Sequence, residues 1–363
     1  VVKLKSSGSF YSDTNSRINN SESAGNVMTQ VLSRSGPIDS SKELMSAVVI
    51  VEPMKAELVQ VPIPEPGPGE VRIRVQGCGV CASNLPPWEG RPWFKYPMEP
   101  GALGHEGWGY IDAIGTGVKG FNVGDHVTML SYHAYAQYDI AASSAVVKLP
   151  VSLVGTPFPG EPLSCAVNIF KRADIREGQT LTIVGIGFLG SLLVQLACGA
   201  GANVVAIDRR PCALEIAKEF GAQKTIQLNE NYPVIEQVSQ WTNGEFCDRV
   251  IEATGKQNTL DLATEITKIR GKLIIAGYHQ DGLRQVNMQL WNWRGLDVIN
   301  AHERDPQVYI DGLHAAVEAV EQGKITPHRL LTHNYPLTQF ADALNGQKER
   351  APGFMKAITT LSL

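Results

Sequence analysis

The chain has 363 residues, 43% of them apolar and 19% charged, with a formal net charge of −4. That length supports two ordinary cores, and the mild acidity gives no electrostatic reason to expect nucleic acid or an anionic membrane as partner. No apolar run reaches the ~20 residues of a membrane span, and six cysteines without framework spacing read as thiols of a reducing compartment, with the cytoplasm as default.

Residues 1–44 are rich in Ser and Asn, lack the apolar stretch of a secretory signal, and read as a disordered or loosely attached tail. From Ser46 the text is strand-like. SAVVIVEP is an apolar run ending at Pro, PIPEPGPGE is turn chemistry, and VRIRVQ (71–76) alternates with period 2. Short strands with Gly/Pro punctuation continue to about Pro150, as in a β-barrel. Beyond Phe170 the pattern changes. TLTIVGIGFLGSLLVQLACGAGANVVAID reads as buried strand, glycine turn, apolar helix and second buried strand. PCALEIAKEFGA is a helix with Pro211 in its first turn and Gly221 past its end. CDRVIEAT, LDLATEITKI and GKLIIAG follow as strand, helix and strand. Strands alternating with helices give a doubly wound parallel α/β sheet. An amphipathic helix over 309–322 and two β-like pieces then look like a return to the first half.

GIGFLG is a G-x-G-x-x-G that follows a strand and opens a helix, the context a dinucleotide turn requires. Gly185 permits the tight turn, Gly187 lets backbone amides approach a pyrophosphate, and Gly190 lets helix and strand pack closely, with Phe188 and Leu189 between them. The helix N-terminus faces the anion. Asp208, ending the next strand, is placed to bond the adenosine ribose and to repel a 2′-phosphate. NAD(H) is therefore expected ahead of NADP(H), although Arg209 and Arg210 offer such a phosphate a partner.

GCGVCASNL (77–85) poses the question of its two cysteines. A redox C-x-x-C opens a helix, and none is patterned here; a zinc knuckle needs a second pair nearby, and none occurs. One cysteine joining ligands from elsewhere remains. GHEG brings His105 and Glu106, and GEPLSCAVN brings Glu161 and Cys165.

GVCASN, GHE with its following glycines, GDHV, EPLSCAVN and GIGFLG stand in the order found in the zinc-dependent medium-chain dehydrogenase/reductase family, which residues 45–363 resemble. The resemblance implies a mostly-β GroES-like catalytic domain (45–170, returning at 303–363) around a Rossmann domain (171–302). It implies one catalytic zinc held by Cys81, His105, Glu106 and Glu161, with the metal role of the two glutamates left open and Cys165 as the rival third ligand. Cys78 is then a buried small hydrophobe, and Ser83 takes the alcohol's proton. No four-cysteine cluster follows GDHV, so no structural zinc is expected. Two positions depart from relatives. Asn84 stands where an aspartate often orients the ligand histidine, and Pro86 stands where some relatives have a relay histidine.

The implied reaction is hydride exchange between NAD(H) and a secondary alcohol or polyol and its carbonyl. A metal that lowers a bound oxygen's pKa from 15.7 to ≈ 7 supplies about 12 kcal/mol. A general base supplies roughly 3–5 kcal/mol, so the metal dominates. A homodimer or homotetramer is the family's habit. Two other readings stand beside this one: a zinc-independent, NADPH-dependent enone or quinone reductase, and a non-catalytic dinucleotide-binding protein. Trp88, Trp93, Phe94, Trp291 and Trp293 are read evenly as an aromatic substrate pocket or as packing, and the histidines other than His105 and His302 as surface or turn residues.

Overall fold

A computed structural model describes residues 43–361; the expected tail, apart from its last two positions, lies outside them. Strands β1 (Leu44–Glu52) and β2 (Lys55–Pro62) form an antiparallel hairpin, starting one residue ahead of the expected folded boundary. The Gly/Pro-punctuated text that follows becomes β3 (Glu70–Gly79), β4 (Gly107–Ile114), β5 (His126–Met129), β6 (Tyr138–Ala142) and β7 (Val146–Lys148). β3 runs past Gln76 to Gly79, so the first cysteine of GCGVC is a strand residue and the second is not. These strands share a seven-stranded sheet with β14 (Leu331–Pro336) and β15 (Lys356–Thr360), in the order β14-β15-β3-β4-β5-β7, with β6 on β3. One sheet thus draws on both ends of the described chain. Its alternating inward residues, Val71, Ile73 and Val75 among them, are buried with Ile111, Val127 and Tyr135 in one core.

The middle of the chain makes a second sheet of six parallel strands. β8 (Thr180–Val184), β9 (Asn203–Asp208), β10 (Lys224–Gln227), β11 (Cys247–Glu252), β12 (Thr267–Ile275) and β13 (Asp297–Asn300) are arranged β10-β9-β8-β11-β12-β13. This is the doubly wound order of dinucleotide-binding sheets. The central strands are near-continuous apolar runs because helices cover both faces. Helices α1 (Gly160–Ala173), α2 (Phe188–Gly199) and α3 (Pro211–Glu219) precede α4 (Asn231–Trp241), α5 (Gln257–Glu265), α6 (Met288–Arg294), α7 (Pro306–Glu321) and α8 (Phe340–Glu349). Two cores flank the sheet: one runs from Ile183 and Leu192 to Leu313, the other from Val205 and Val250 to Leu262.

LDLATEITKI is helix only as far as Glu265; Thr267 already belongs to β12, and Ile269, read as helix face, is 66% exposed. His126, read as a surface residue, is buried in β5, bonded to Gln76 Oε1 at 3.0 Å and tilted over Tyr110. Among the described residues no helix is long and apolar enough to cross a membrane.

Candidate metal and dinucleotide site

Cys81 follows the end of β3 and precedes a helical turn, Leu85–Trp88, whose Pro86 and Pro87 are tolerated because first-turn amides need no helical partner. His105 and Glu106 lie on the turn into β4. Ligand atoms of Cys81, His105 and Glu106 all lie within 4.8 Å of one another. His105 Nδ1 is 2.8 Å from the Leu103 carbonyl, so Nδ1–H donates there and Nε2 is the nitrogen left for a metal, which would displace any proton it carries. Burial pulls the imidazole pKa down, but the hydrogen bond and charge interaction with Cys81 outweigh it, aided by Glu161 and Glu106, and raise it to about 10. Asn84 does not perform the orienting role; it is buried and donates to Tyr135 Oη at 2.8 Å, which in turn donates to the Gly79 carbonyl at 2.9 Å. The pair braces the strand end behind Cys81.

Glu106 is fully buried, and its partner was not legible from spacing. Lys356 of β15 reaches both carboxylate oxygens at 2.6 Å, with its hydrogen bond directed at Oε1. Burial lowers the Lys356 pKa, but Glu106 and then Cys81 more than compensate, so the ammonium stays charged. Oε2 of Glu106 is ion-paired with the same ammonium but receives no well-directed hydrogen bond. A buried carboxylate oxygen with no directed hydrogen bond, beside a thiol and an imidazole nitrogen, is a donor set that suits a divalent cation, and S/N/O together suit zinc. Gly79 makes the arrangement possible, because a Cβ there would lie 1.7 Å from Glu106 Oε2.

Glu161, in the first turn of α1, stands outside that converging group. Its Oε1 accepts from Tyr309 Oη on α7 and from Cys165 Sγ at 3.4 Å, while Cys165 and Tyr309 are themselves 3.0 Å apart. Burial first, then the Glu161 charge, pushes both the Cys165 thiol and the Tyr309 phenol up, which keeps them protonated as donors. Ser83 is half-buried, with Oγ 3.5 Å from Asn84 Oδ1. Of the aromatic candidates, Trp88 is fully buried, bonded to Asn345 and edge-on to Phe340, and Trp291 donates to Thr264 against the sheet core; both are packing residues. Trp293 is 84% exposed and Trp93 49%. His302 is held by the Gly277 carbonyl at 3.2 Å. Tyr132, stacked on His105 at 6.4 Å, is an aromatic neighbour that the sequence reading passed over.

The glycine turn sits between β8 and α2. Gly185 has φ +100°, and a Cβ on Gly190 would meet the Gly185 carbonyl oxygen at 2.0 Å, so both positions need glycine. A Cβ on Gly187 would meet nothing within 4 Å, leaving open space over the amides that begin α2. Phe188 and Leu189 form the first turn of α2, with Phe188 buried. Asp208 Oδ2 accepts from Ile186 N at 2.7 Å and Oδ1 from Arg210 N at 2.9 Å. Arg210, not Arg209, does the local work: its guanidinium reaches Asp208, the Ile186 carbonyl at 3.0 Å and the Phe354 carbonyl at 2.7 Å. Arg209 is exposed. The open space over an uncapped helix start, with a strand-end carboxylate beside it, fits a nicotinamide dinucleotide.

Residues 67–156 match the alcohol dehydrogenase GroES-like domain and residues 189–317 the zinc-binding dehydrogenase family. The galactitol 1-phosphate 5-dehydrogenase of Escherichia coli strain K12 is 31% identical over 240 residues, 57% of this chain and 68% of that one. The chain belongs to the zinc-type medium-chain dehydrogenase/reductase family. This medium-chain dehydrogenase is also 26% identical to the sorbitol dehydrogenase of Halalkalibacterium halodurans over 308 residues, 76% of this chain and 87% of the relative. In fold it matches an Escherichia coli oxidoreductase/dehydrogenase of unknown specificity with a TM-score of 0.80 and 22% identity, covering 88% of this chain and all of that one. The two sheets are accordingly a GroES-like unit and a Rossmann unit, and the protein is an oxidoreductase of the alcohol and polyol dehydrogenase kind.

Proposed function

We propose that this protein is a zinc- and NAD-dependent dehydrogenase of a secondary alcohol, a polyol or polyol derivative, with Cys81, His105 and Glu106 as the metal's ligands. The observation that carries the reading is the convergence of ligand atoms of those three side chains within 4.8 Å, with the other imidazole nitrogen tied back to the Leu103 carbonyl. Zinc, when bound, would polarise the substrate oxygen, and the nicotinamide would exchange the hydride. Everything else falls to the chain's own residues. Lys356 offsets the Glu106 charge, so that the ligand set stays compact without a second cation. Glu161, with Tyr309 and Cys165 as donors, stands beside the ligands as a hydrogen-bonding group for the substrate's hydroxyl or a bound water. Ser83 Oγ is the first acceptor of the substrate's proton, and water carries it on, because Pro86 replaces a relay histidine. Asp208, at the end of β9 with its carboxylate held by Ile186 N and Arg210, supports NAD, because a negative charge at that strand end disfavours a 2′-phosphate.

The galactitol 1-phosphate and sorbitol dehydrogenases among its relatives support a polyol substrate. A panel of polyols, polyol phosphates and cyclic alcohols followed by NADH absorbance, with and without a chelator, tests the proposal. Turnover lost on chelation and restored by zinc is expected, with about one zinc per chain and almost none in Cys81→Ser. Full turnover in chelator, or reduction of an enone with NADPH by Cys81→Ser, would overturn it.

A further inference from the structure

The first turn of α1 is pressed against the strands that follow the candidate ligands. A Cβ on Gly160 would lie 2.4 Å from Thr128 Oγ1 of β5 and 2.7 Å from Leu313 Cδ1 of α7. The Thr128 hydroxyl in turn donates to the Gly107 carbonyl at 3.2 Å, and Gly107 directly follows Glu106. Glu161, the next residue of α1, is thus anchored beside the turn that carries His105 and Glu106. Its carboxylate nevertheless stays outside the group those two form with Cys81.

A polar seam between α1 and α7 holds it there. Glu161, Ser164, Cys165 and Asn168 recur at i, i+3, i+4 and i+7, so they share one face of α1. Ser164 Oγ donates to the Tyr309 carbonyl at 2.8 Å and Asn168 Nδ2 to the Val308 carbonyl at 3.2 Å. A Cβ on Gly312 would lie 2.4 Å from Asn168 Nδ2, so only glycine lets the two helices approach this closely. Ser164 and Asn168 are buried, and they fix the backbone of Tyr309 against α1. From that fixed base Tyr309 Oη donates to Glu161 Oε1, which also accepts from Cys165 Sγ at 3.4 Å. Among the described residues Glu161 Oε2 accepts no hydrogen bond, so the carboxylate is tethered through one oxygen. A hydroxyl bonded to a carboxylate is a strong, charge-assisted donor and a thiol a weak one. Tyr309 therefore supplies most of the restraint.

We infer that Tyr309 is a positioning residue that withholds Glu161 from the metal, so that one coordination position stays open for the substrate oxygen. The inference rests on the metal reading given above, and zinc loading of the wild type tests that reading separately. Two readouts independent of turnover compare the full chain with Tyr309→Phe, which removes only the hydroxyl. One is zinc affinity by competition with a chromophoric chelator. The other is the visible spectrum of the cobalt-substituted protein titrated with thiocyanate, a small anion that reports the open position. Freed of its donor, Glu161 should join the metal, so Tyr309→Phe should hold zinc about 10–100-fold more tightly and bind thiocyanate at least about tenfold more weakly. Adding Glu161→Gln should abolish both shifts, and Glu161→Gln alone should still load about one zinc per chain. Unchanged zinc and thiocyanate affinities in Tyr309→Phe overturn the inference. So do equal shifts in the Glu161→Gln background, which would report a loosened helix seam rather than a released carboxylate. A Glu161→Gln chain that takes up no zinc also overturns it, because Glu161 would then be a ligand already. If wild type itself takes up no zinc, the metal reading fails and the inference with it.

Discussion

Replacing Lys356 by Met removes the ammonium while keeping most of the apolar stem, and leaves Glu106 charged in a fully buried position. The pair is 2.6 Å apart, with side-chain exposures of 6% and 0%. At an effective dielectric of about 20 the attraction is about 6 kcal/mol, much of it offset by the desolvation of both charges. Losing one partner alone costs about 3–5 kcal/mol, because the other charge stays behind uncompensated. The assay is urea unfolding of chelator-treated protein by tryptophan fluorescence, in which the buried Trp88 reports on the core that holds the pair. Lys356→Met should lose about 3–5 kcal/mol, and adding Glu106→Gln to it should recover about 2 kcal/mol or more. The reasoning fails if Lys356→Met stays within about 1 kcal/mol of wild type, or if the double variant is no more stable than the single.

Three further outcomes follow from the same geometry. Gly79→Ala places a methyl 1.7 Å from Glu106 Oε2, so it should cost about 1–3 kcal/mol and lower zinc per chain; atomic absorption showing full occupancy would contradict this. Gly190→Ala pushes against the Gly185 carbonyl oxygen, 2.0 Å away, and should raise the NADH Kd by about tenfold or more at unchanged zinc content, whereas an unaltered titration would show that the turn tolerates the methyl. Burial pushes the Cys247 thiol up to about 12 and the Cys78 thiol well above its ordinary value, so at pH 8 only about one Cys247 in ten thousand is thiolate. Brief alkylation of metal-stripped protein should then spare both and fall on the half-buried Cys81 and Cys212, as read by peptide mass spectrometry.

Much of the scaffold was legible because local chemistry and global fold agree. The apolar runs of β8 and β11 mark strands buried on both faces, and the glycine spacing of 185–190 only makes sense at a strand–helix turn. The end of α5 was misread because Leu262, Ile266 and Ile269 keep a helical spacing; the structure instead lets the β-branched Thr267 and Ile269 enter β12. His126 was misread because what buries it, Gln76 and Tyr110, comes from other strands. At the site, the residues inside motifs could be named in advance, but their partners could not. Lys356 lies 250 positions from Glu106 and Tyr309 lies 148 from Glu161, and neither motif contains a hint of them. The one available signal was a lysine inside the apolar run GFMKAITT, where a charge has to find a partner.

Because β15 pairs with β3 and carries Lys356, the cluster of Cys81, His105, Glu106 and Lys356 is assembled from segments that leave the ribosome far apart in time. At roughly 5–20 residues per second, 250 residues take roughly 12–50 s to translate. During that interval Glu106 has no Lys356 to pair with and its sheet lacks β14 and β15, while the intervening parallel sheet gains its last strand, β13, before either of them is made. The order of synthesis therefore favours a Rossmann unit that folds first and a Cys81–His105–Glu106 cluster that is completed only when the last strand arrives. A stop codon just before β15 would spare the former and abolish the latter.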